Sequence, residues 1–186
     1  AMNSFSSYEN LKALREKSES NRLKYNRNHE VLYFHKTDDP YSHLTIQFID
    51  KLKKEYSIDL VPVLVGQENP EALHEPDLYE KYCLEDVRRI SPYYGIEFNG
   101  VSYPETPLIN KANSILASTE PNNFIEIAKK VSNYLWANDE EELSKLQHQF
   151  NTPMSKVSEV LSNGNKIRND CDYYFGSAFY YEKELY

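Results

Sequence analysis

The segment from His35 to His43 holds the densest group of polar side chains in the chain, His35-Lys36-Thr37-Asp38-Asp39-Pro40-Tyr41-Ser42-His43. Asp39 and His43 are four residues apart, so on a helix they lie one turn from each other. A carboxylate and an imidazole at that spacing can serve as a general base and acid. A simpler hypothesis gives Asp39 a structural role only, as the residue that caps a helix N-terminus.

Other side chains of this segment have alternative roles. Ser42 or Thr37 could offer a hydroxyl to a ligand, although Ser42 could equally lie on the helix surface. His35 could bond to nearby backbone, or it could join Asp39 and His43 as two imidazoles and one carboxylate around a metal ion. We predict no metal, because residues of one short loop rarely converge without a further ligand from elsewhere in the chain.

The flanking sequence predicts elements that would place this segment at one edge of a sheet. The apolar run Val31-Leu32-Tyr33-Phe34 and a second run over residues 58–65 predict buried strands. Between them, Asp39-Pro40 is a helix start, and apolar residues at three- and four-residue spacing carry the helix to about Tyr56. Strand, helix and strand in this order predict a right-handed parallel unit, whose ligands bind at the carboxyl ends of the strands.

The rest of the chain is predicted to be mainly helical. Residues 7–27 predict a solvated helix with a thin apolar stripe, and residues 77–94, 106–117 and 121–137 predict three more helices. Gly95 is expected to end the first of these three. On that helix, Asp86 and Arg89 are spaced for a surface ion pair.

Helix and strand signals return near the end of the chain. Asp139 and Glu142 fit a capping box, and Glu182-Lys183 between two tyrosine-rich arms predicts a strand or hairpin. The predicted organisation is an N-terminal helical extension over 1–29, a core over 30–65 and 138–186, and a helical insertion over 66–137.

Composition excludes several classes of protein. The 186 residues include 29 acids and 21 bases, a net charge of -8, which argues against a nucleic-acid partner. No apolar run reaches the roughly 20 residues of a membrane helix. Cys83 and Cys171 lie far apart and predict reduced thiols in a cytoplasmic, bacterial-type protein, and no signal peptide is evident. The 16 tyrosines suggest a face covered by a second domain or by a homodimer partner.

Asp39-Pro40-Tyr41-Ser42 resembles a motif of the DsbA-like thioredoxin-fold proteins. It stands where the redox members carry Cys-Pro-x-Cys, and where kappa-class glutathione transferases and 2-hydroxychromene-2-carboxylate isomerases carry Ser-Pro-Tyr-Ser. Further similarities follow in the family's order at residues 81–89, 93–96, 103–104, 135–136 and 176–179. The resemblance spans about residues 30–186 and implies an α/β, thioredoxin-like core with an inserted all-helical subdomain.

Two positions depart from that family's pattern. Asp39 stands at the position of the reactive Cys or Ser, where a carboxylate cannot be a redox group and would repel a glutathione thiolate. Ser177 stands at the position of the family's late-strand proline when Phe179 is aligned with the family's phenylalanine. The family's closing segment is missing, which favours a chain cut from a longer protein.

The resemblance implies a glutathione-linked isomerase or transferase, with glutathione as its cofactor. The predicted catalytic residues are Asp39, Ser42 and His43, and the predicted substrate-binding residues are Thr37, Pro40, Tyr41 and Ser177. The alternative is a redox-inactive binding or interaction module that holds a small molecule or a peptide in the same groove. A thiol-disulfide oxidoreductase is less favoured, because the chain has no Cys-x-x-Cys pair.

Overall fold

The computed structural model describes residues 8–67, 73–150 and 153–186. Its sheet contains β1 (Glu30–Lys36), β2 (Asp59–Val65), β3 (Ala178–Tyr181) and β4 (Glu184–Leu185). The spatial order is β2-β1-β3-β4. β1 and β2 are parallel, whereas β3 is antiparallel to both β1 and β4. The sheet is therefore mixed, with the parallel pair at one side and the hairpin at the other.

Seven α-helices lie within these ranges. They are α1 (Tyr8–Lys24), α2 (Pro40–Glu55), α3 (Pro76–Ile90), α4 (Thr106–Ala117), α5 (Phe124–Trp136), α6 (Glu140–Gln147) and α7 (Met154–Asp170). A single 3-10 turn, Ser91–Tyr94, follows α3, and another, Pro121–Asn123, precedes α5. None of the described helices has the length and apolar content needed to cross a membrane.

The predicted strand-helix-strand unit is confirmed by β1, α2 and β2, which run in that order with the two strands parallel. Tyr33 and Phe34 on β1 are fully buried, as an apolar run of β-forming residues predicts. Ile46 and Ile49 on α2 are buried to the same extent and face the sheet. This unit fixes the carboxyl end of β1 next to the first turn of α2.

The sheet has a packed cluster on each face. The larger cluster contains Tyr33 and Leu64 from the sheet together with side chains of α2, α4, α5, α6 and α7. The smaller one, on the other face, contains Phe34 and Val63. α7 lies so close to β2 that a Cβ on Gly164 would come 1.9 Å from the Leu64 carbonyl oxygen. The helices of the predicted insertion thus share one core with the sheet, and the predicted domain boundaries stay a prediction.

Three local predictions about helix ends and turns are confirmed. Gly95 adopts the left-handed conformation after the turn that follows α3, with φ of 68°. Asp139 caps α6 by accepting a hydrogen bond from the Glu142 backbone N–H at 3.1 Å. The reciprocal half of the predicted capping box is wrong, because the Asp139 N–H donates to the Tyr134 carbonyl oxygen. Glu182 and Lys183 both have positive φ, 46° and 75°, between β3 and β4. Positive φ at both central residues is the geometry that matches the twist of a two-residue hairpin.

The prediction that α1 packs through an apolar stripe is wrong. Leu14 and Leu23 are 57% and 62% exposed, and α1 buries no side chain completely. Instead, Arg15 forms a two-pronged ion pair with Glu184 at 2.8 and 2.6 Å. The leucines are too few and too far apart to form a continuous stripe, so a polar contact holds α1 against the hairpin.

Candidate functional site

Asp39 forms the N-cap of α2, as predicted. Its backbone is extended, with φ of -96° and ψ of 122°, and Pro40 takes the first helical position. Its Oδ2 accepts the backbone N–H of Ser42 at 2.6 Å. A carboxylate at this place pairs with an N–H that the helix leaves open and lies at the positive end of the helix dipole.

The same oxygen of Asp39 accepts a second hydrogen bond, from the backbone N–H of Ser177 at 3.2 Å. Ser177 immediately precedes β3, and its hydroxyl lies 3.0 Å from Thr45 Oγ1 on α2. Gly176 leaves the space that the carboxylate needs, since a Cβ there would lie 2.6 Å from Asp39 Cγ. Asp39 is only 7% exposed, so its charge points inward and joins two distant parts of the chain.

The expectation that Ser42 lies on the surface is wrong. Ser42 is fully buried, and its Oγ accepts the backbone N–H of Lys36 at 3.1 Å. Residue 42 falls on the helix face that meets the end of β1, where a small hydroxyl pairs with a backbone group that would otherwise stay open. The Ser42 hydroxyl, predicted to be catalytic, is therefore already hydrogen-bonded within the protein. Its catalytic role stays a prediction.

His35 pairs with a tyrosine hydroxyl, which corrects the prediction that it bonds to backbone. Tyr33 Oη lies 2.9 Å from His35 Nδ1 and donates to the Ser42 carbonyl oxygen at 3.3 Å. The tautomer of the neutral His35 ring decides whether Nδ1 or the Tyr33 hydroxyl donates in this pair. Burial, reinforced by the nearby His43, lowers the pKa of His35 to about 3. The ring is neutral at ordinary pH.

His43 bonds to α5. Its Nδ1 lies 2.7 Å from Ser132 Oγ, and burial lowers its pKa to about 4. A neutral imidazole at neutral pH can accept a proton only weakly, so the predicted acid and base role of Asp39 and His43 stays a prediction. The alternative metal site of these two residues with His35 is not formed, because no three His, Cys, Asp or Glu side chains in the described ranges are placed to hold an ion.

Two further predicted residues contact the helical segment between β2 and α6. Thr37 donates to Asn113 Oδ1 on α4 at 2.6 Å. Tyr41 donates to Asp86 Oδ2 on α3 at 2.7 Å. The predicted pair of Asp86 with Arg89 is wrong, because Asp86 turns to Tyr41 and Arg89 contacts a different acid one turn away. The segment after β1 is thus hydrogen-bonded to both α3 and α4.

Of three comparisons with known proteins, the one with solved structures found matches. No model of a known family matches the chain, and no curated protein matches it. Among solved structures, a 2-hydroxychromene-2-carboxylate isomerase is similar with a TM-score of 0.59 and 14% identity, over 84% of this chain and 87% of that one. A putative protein disulfide isomerase from Nitrosomonas europaea is similar with a TM-score of 0.57 and 13% identity, over 86% and 88%.

The chain has a thioredoxin-like fold. This confirms the fold class that the sequence predicted, an α/β sheet with helices between β2 and the final hairpin. In this thioredoxin-like fold Asp39 stands at the helix start that follows the first strand, and Ser177 stands directly before the hairpin.

Neither cysteine stands at that helix start in the sequence. Cys83 is buried on α3, and Cys171 is half-buried just after α7. Burial raises the pKa of the Cys171 thiol. Because the thiolate is the reactive form, a raised pKa makes Cys171 a poor nucleophile. Neither cysteine belongs to the His35–His43 segment of the sequence, but Cys83 lies close enough to Tyr41 to add to the rise in the pKa of its hydroxyl that burial causes.

Two cavities of this thioredoxin-like fold were not foreseen from the sequence. A cavity of about 230 Å³ lies beside His43 and Trp136, between α2, α5 and the loop before α4. A larger cavity of about 570 Å³ lies at the opposite end of the sheet, between Leu52, Phe179 and Tyr186. Both are assembled from segments far apart in sequence, so no local pattern could have indicated them.

Proposed function

We propose that this chain is a redox-inactive ligand-binding protein built on a thioredoxin-like fold. It holds a small molecule by hydrogen bonds and packing, without thiol chemistry. The observation that carries this proposal is the double hydrogen bond of Asp39 Oδ2 with the backbone N–H groups of Ser42 and Ser177. The carboxylate itself occupies the positive end of α2.

The chemistry of this position argues against a bound thiolate. Two like charges about 4 Å apart repel by roughly 1–4 kcal/mol at effective dielectric constants between 80 and 20. Asp39 is buried, so it cannot turn into solvent without breaking both of its hydrogen bonds. Ser42, the nearest hydroxyl of the same turn, is already bonded to Lys36 N–H. A ligand must therefore bind through other groups.

A second candidate is a glutathione-linked isomerase or transferase. It is favoured by the similarity to a 2-hydroxychromene-2-carboxylate isomerase over most of both chains, together with the sequence Pro40-Tyr41-Ser42. In that case glutathione would lie at the start of α2, with Thr37, Tyr41 and Ser177 around it. Asp39 would have to release one of its backbone partners to admit the thiol.

Calorimetry with glutathione separates the two candidates. For the redox-inactive binding protein we expect no heat of binding with the wild type, because the carboxylate fills the site. Asp39→Ser retains a capping oxygen without the charge, and it serves as the matched variant. Saturable binding of glutathione to the wild type contradicts the first candidate and supports the second, whereas binding to neither protein contradicts the second.

A disulfide-exchange assay tests the absence of redox activity directly. The wild type is expected not to accelerate reduction of insulin by dithiothreitol. A double variant, Asp39→Cys with Ser42→Cys, restores a Cys-x-x-Cys spacing at the helix start and is the positive control for the scaffold. Catalysis by the wild type at the level of that variant would show that the proposal is wrong.

A further inference from the structure

The larger of the two cavities lies at the end of the sheet far from Asp39. Its volume is about 570 Å³, and it is bounded by the starts of β1 and β2, the last turn of α2 and the end of β3. Asp39 stands at the other end of α2, a helix of 16 residues and therefore about 24 Å long. A molecule in this cavity would not touch the Asp39 carboxylate.

The walls of this cavity are mainly apolar. Val31, Phe179 and Tyr181 line it from one face of the sheet, because Phe179 pairs with Tyr33 and residues two apart on a strand share a face. Leu52 lines it from α2. Cavities of roughly 300–1,000 Å³ with hydrophobic and aromatic walls are the usual binding sites of small molecules. Size and lining therefore favour a small-molecule ligand.

Aromatic rings are concentrated around this cavity. Tyr56 and Tyr186 line it and are 57% and 63% exposed, and the rings of Phe179 and Tyr181 line it from the sheet. Single exposed aromatic side chains are ordinary on protein surfaces, but a group of them beside an apolar cavity indicates a binding site. Aromatic rings also attract each other beyond the burial of apolar area. The lining therefore favours a flat aromatic ligand over an aliphatic chain.

The walls are held in place without a ligand. Tyr186 and Phe179 exchange two backbone hydrogen bonds, at 2.8 and 2.9 Å. The Phe179 ring stacks on Tyr33 with ring centroids 5.2 Å apart. The hydroxyl of Tyr181 lies 2.6 Å from Nδ1 of His29. A ligand thus meets a formed cavity, and little binding energy is spent on ordering the protein.

The lining offers no ionic partner to a ligand. None of the lining residues in the described ranges is Asp, Glu, Lys or Arg. Arg15 and Glu184 border a neighbouring smaller cavity beside Tyr186, but they bind each other at 2.8 and 2.6 Å. A charged group placed among the apolar walls would lose its water without gaining an opposite charge. The part of a ligand that enters this cavity should therefore be uncharged.

We propose that this cavity binds an uncharged aromatic molecule of two or three rings. An engineered cavity of about 150 Å³ holds one benzene molecule, so a volume of about 570 Å³ has room for several rings. Release of water from the apolar walls drives the binding. The proposal deepens the binding function proposed above, on which it rests, by giving the ligand a chemical class and a place away from Asp39.

Two fluorescent probes with the same ring system test the class of ligand. N-phenylnaphthylamine is uncharged, and its fluorescence rises in apolar surroundings. Anilinonaphthalene sulfonate has the same rings and a sulfonate beside the bridging nitrogen, so the charge cannot stay outside while the rings are buried. We expect saturable one-to-one binding of the uncharged probe to the wild type. Its dissociation constant should be at least tenfold lower than that of the sulfonate.

Variants of the wall test the place of binding. Leu52 is half-buried and belongs to neither packed cluster of the described residues, so Leu52→Glu should fold and put a carboxylate on the wall. We expect it to weaken binding of N-phenylnaphthylamine at least tenfold. Leu78→Glu is the matched control, since Leu78 is 66% exposed on α3, and it should bind as the wild type does. Ser57→Trp, at an exposed position of the same wall, fills the cavity and should also weaken binding.

Circular dichroism shows which variants fold, and Ser57→Trp decides the place of binding if Leu52→Glu does not. The proposal is overturned if N-phenylnaphthylamine does not bind saturably, if the sulfonate binds as tightly, or if the folded wall variants bind the uncharged probe as the wild type does. It is also overturned if sedimentation shows a wild-type dimer that Leu52→Glu dissociates, because a second copy then covers the cavity. Glutathione calorimetry and disulfide exchange test the start of α2, so each proposal can fail without the other.

Discussion

The Asp39 carboxylate accepts the backbone N–H of Ser177 at 3.2 Å, across 138 residues of sequence. This hydrogen bond joins the first turn of α2 to the residue that precedes β3. The same oxygen caps α2 through Ser42 N–H. One buried carboxylate therefore connects the start of α2 to the segment that leads into β3.

Removal of this carboxylate should destabilise the fold more than removal of an ordinary cap. We expect Asp39→Ala to lower the free energy of unfolding by about 2–4 kcal/mol, because a cap contributes about 0.5–2 kcal/mol and the N–H of Ser177 also loses a charged partner. Asp139→Ala is the matched control, since the Asp139 side chain caps α6 by accepting the Glu142 N–H. Its expected loss is about 0.5–2 kcal/mol. Urea denaturation measures the free energy of unfolding of both variants. Equal losses would contradict a stabilising role of Asp39 beyond the cap of α2.

Gly176 should be intolerant of a side chain because of Asp39. A Cβ at residue 176 would lie 2.6 Å from Asp39 Cγ and 2.7 Å from Oδ2. We expect Gly176→Ala to lower the free energy of unfolding by about 1–3 kcal/mol, as overpacking does. Gly66→Ala is the control, since its nearest neighbour would be the flexible Asn165 amide at 3.3 Å. In an Asp39→Ala background the effect of Gly176→Ala should shrink, and an unchanged effect would count against this steric explanation.

Stability should fall as the pH drops below 6.5. His35 and His43 have folded pKa values near 3 and 4, below the 6.5 of an unfolded histidine. The unfolded chain therefore binds protons that the folded chain does not, so the stabilisation is complete above pH 6.5 and is lost toward the folded pKa values. Each ring contributes about 1.4 kcal/mol per pH unit, or together about 3–4 kcal/mol between pH 6.5 and 5.

Denaturation followed by circular dichroism at several pH values checks this dependence. His43→Phe should remove about half of the slope between pH 6.5 and 5, because one of the two buried imidazoles is gone. His148→Phe should leave the slope as it is in the wild type, since residue 148 is exposed. A slope that is insensitive to His43→Phe would mean that the His43 ring is protonated in the folded chain.

The hydrogen bond between Tyr41 and Asp86 should contribute more to the free energy of unfolding than the exposed side chain of Arg89 does. Tyr41 donates to Asp86 Oδ2 at 2.7 Å, whereas Arg89 contacts Glu85 at 3.6 Å and is largely exposed. We expect Tyr41→Phe to lower the free energy of unfolding by about 1–2 kcal/mol and Arg89→Ala by less than about 0.5 kcal/mol. Double-mutant cycles with Asp86→Ala should give a coupling for Tyr41 and none for Arg89. The reverse pattern would show that Asp86 pairs with Arg89, as the sequence spacing suggests.

Local signals determined much of the fold from sequence alone. The apolar run before His35, the Asp39-Pro40 start and the positive-φ pair Glu182-Lys183 each act within a few residues. Their chemistry fixes strand, helix start and turn almost independently of distant contacts, because capping and turn geometry satisfy backbone groups locally. The order of these elements then restricts the sheet to very few topologies.

Tertiary structure alone decided which side chains meet at the candidate site. Sequence spacing paired Asp86 with Arg89 and left Ser42 on the surface, yet the fold brings Asp86 to Tyr41 and buries Ser42 beneath Lys36. The cavity beside Trp136 likewise arises where α2, α5 and a loop converge. The partners in such contacts depend on how helices dock onto the sheet, which periodicity and local propensity do not encode.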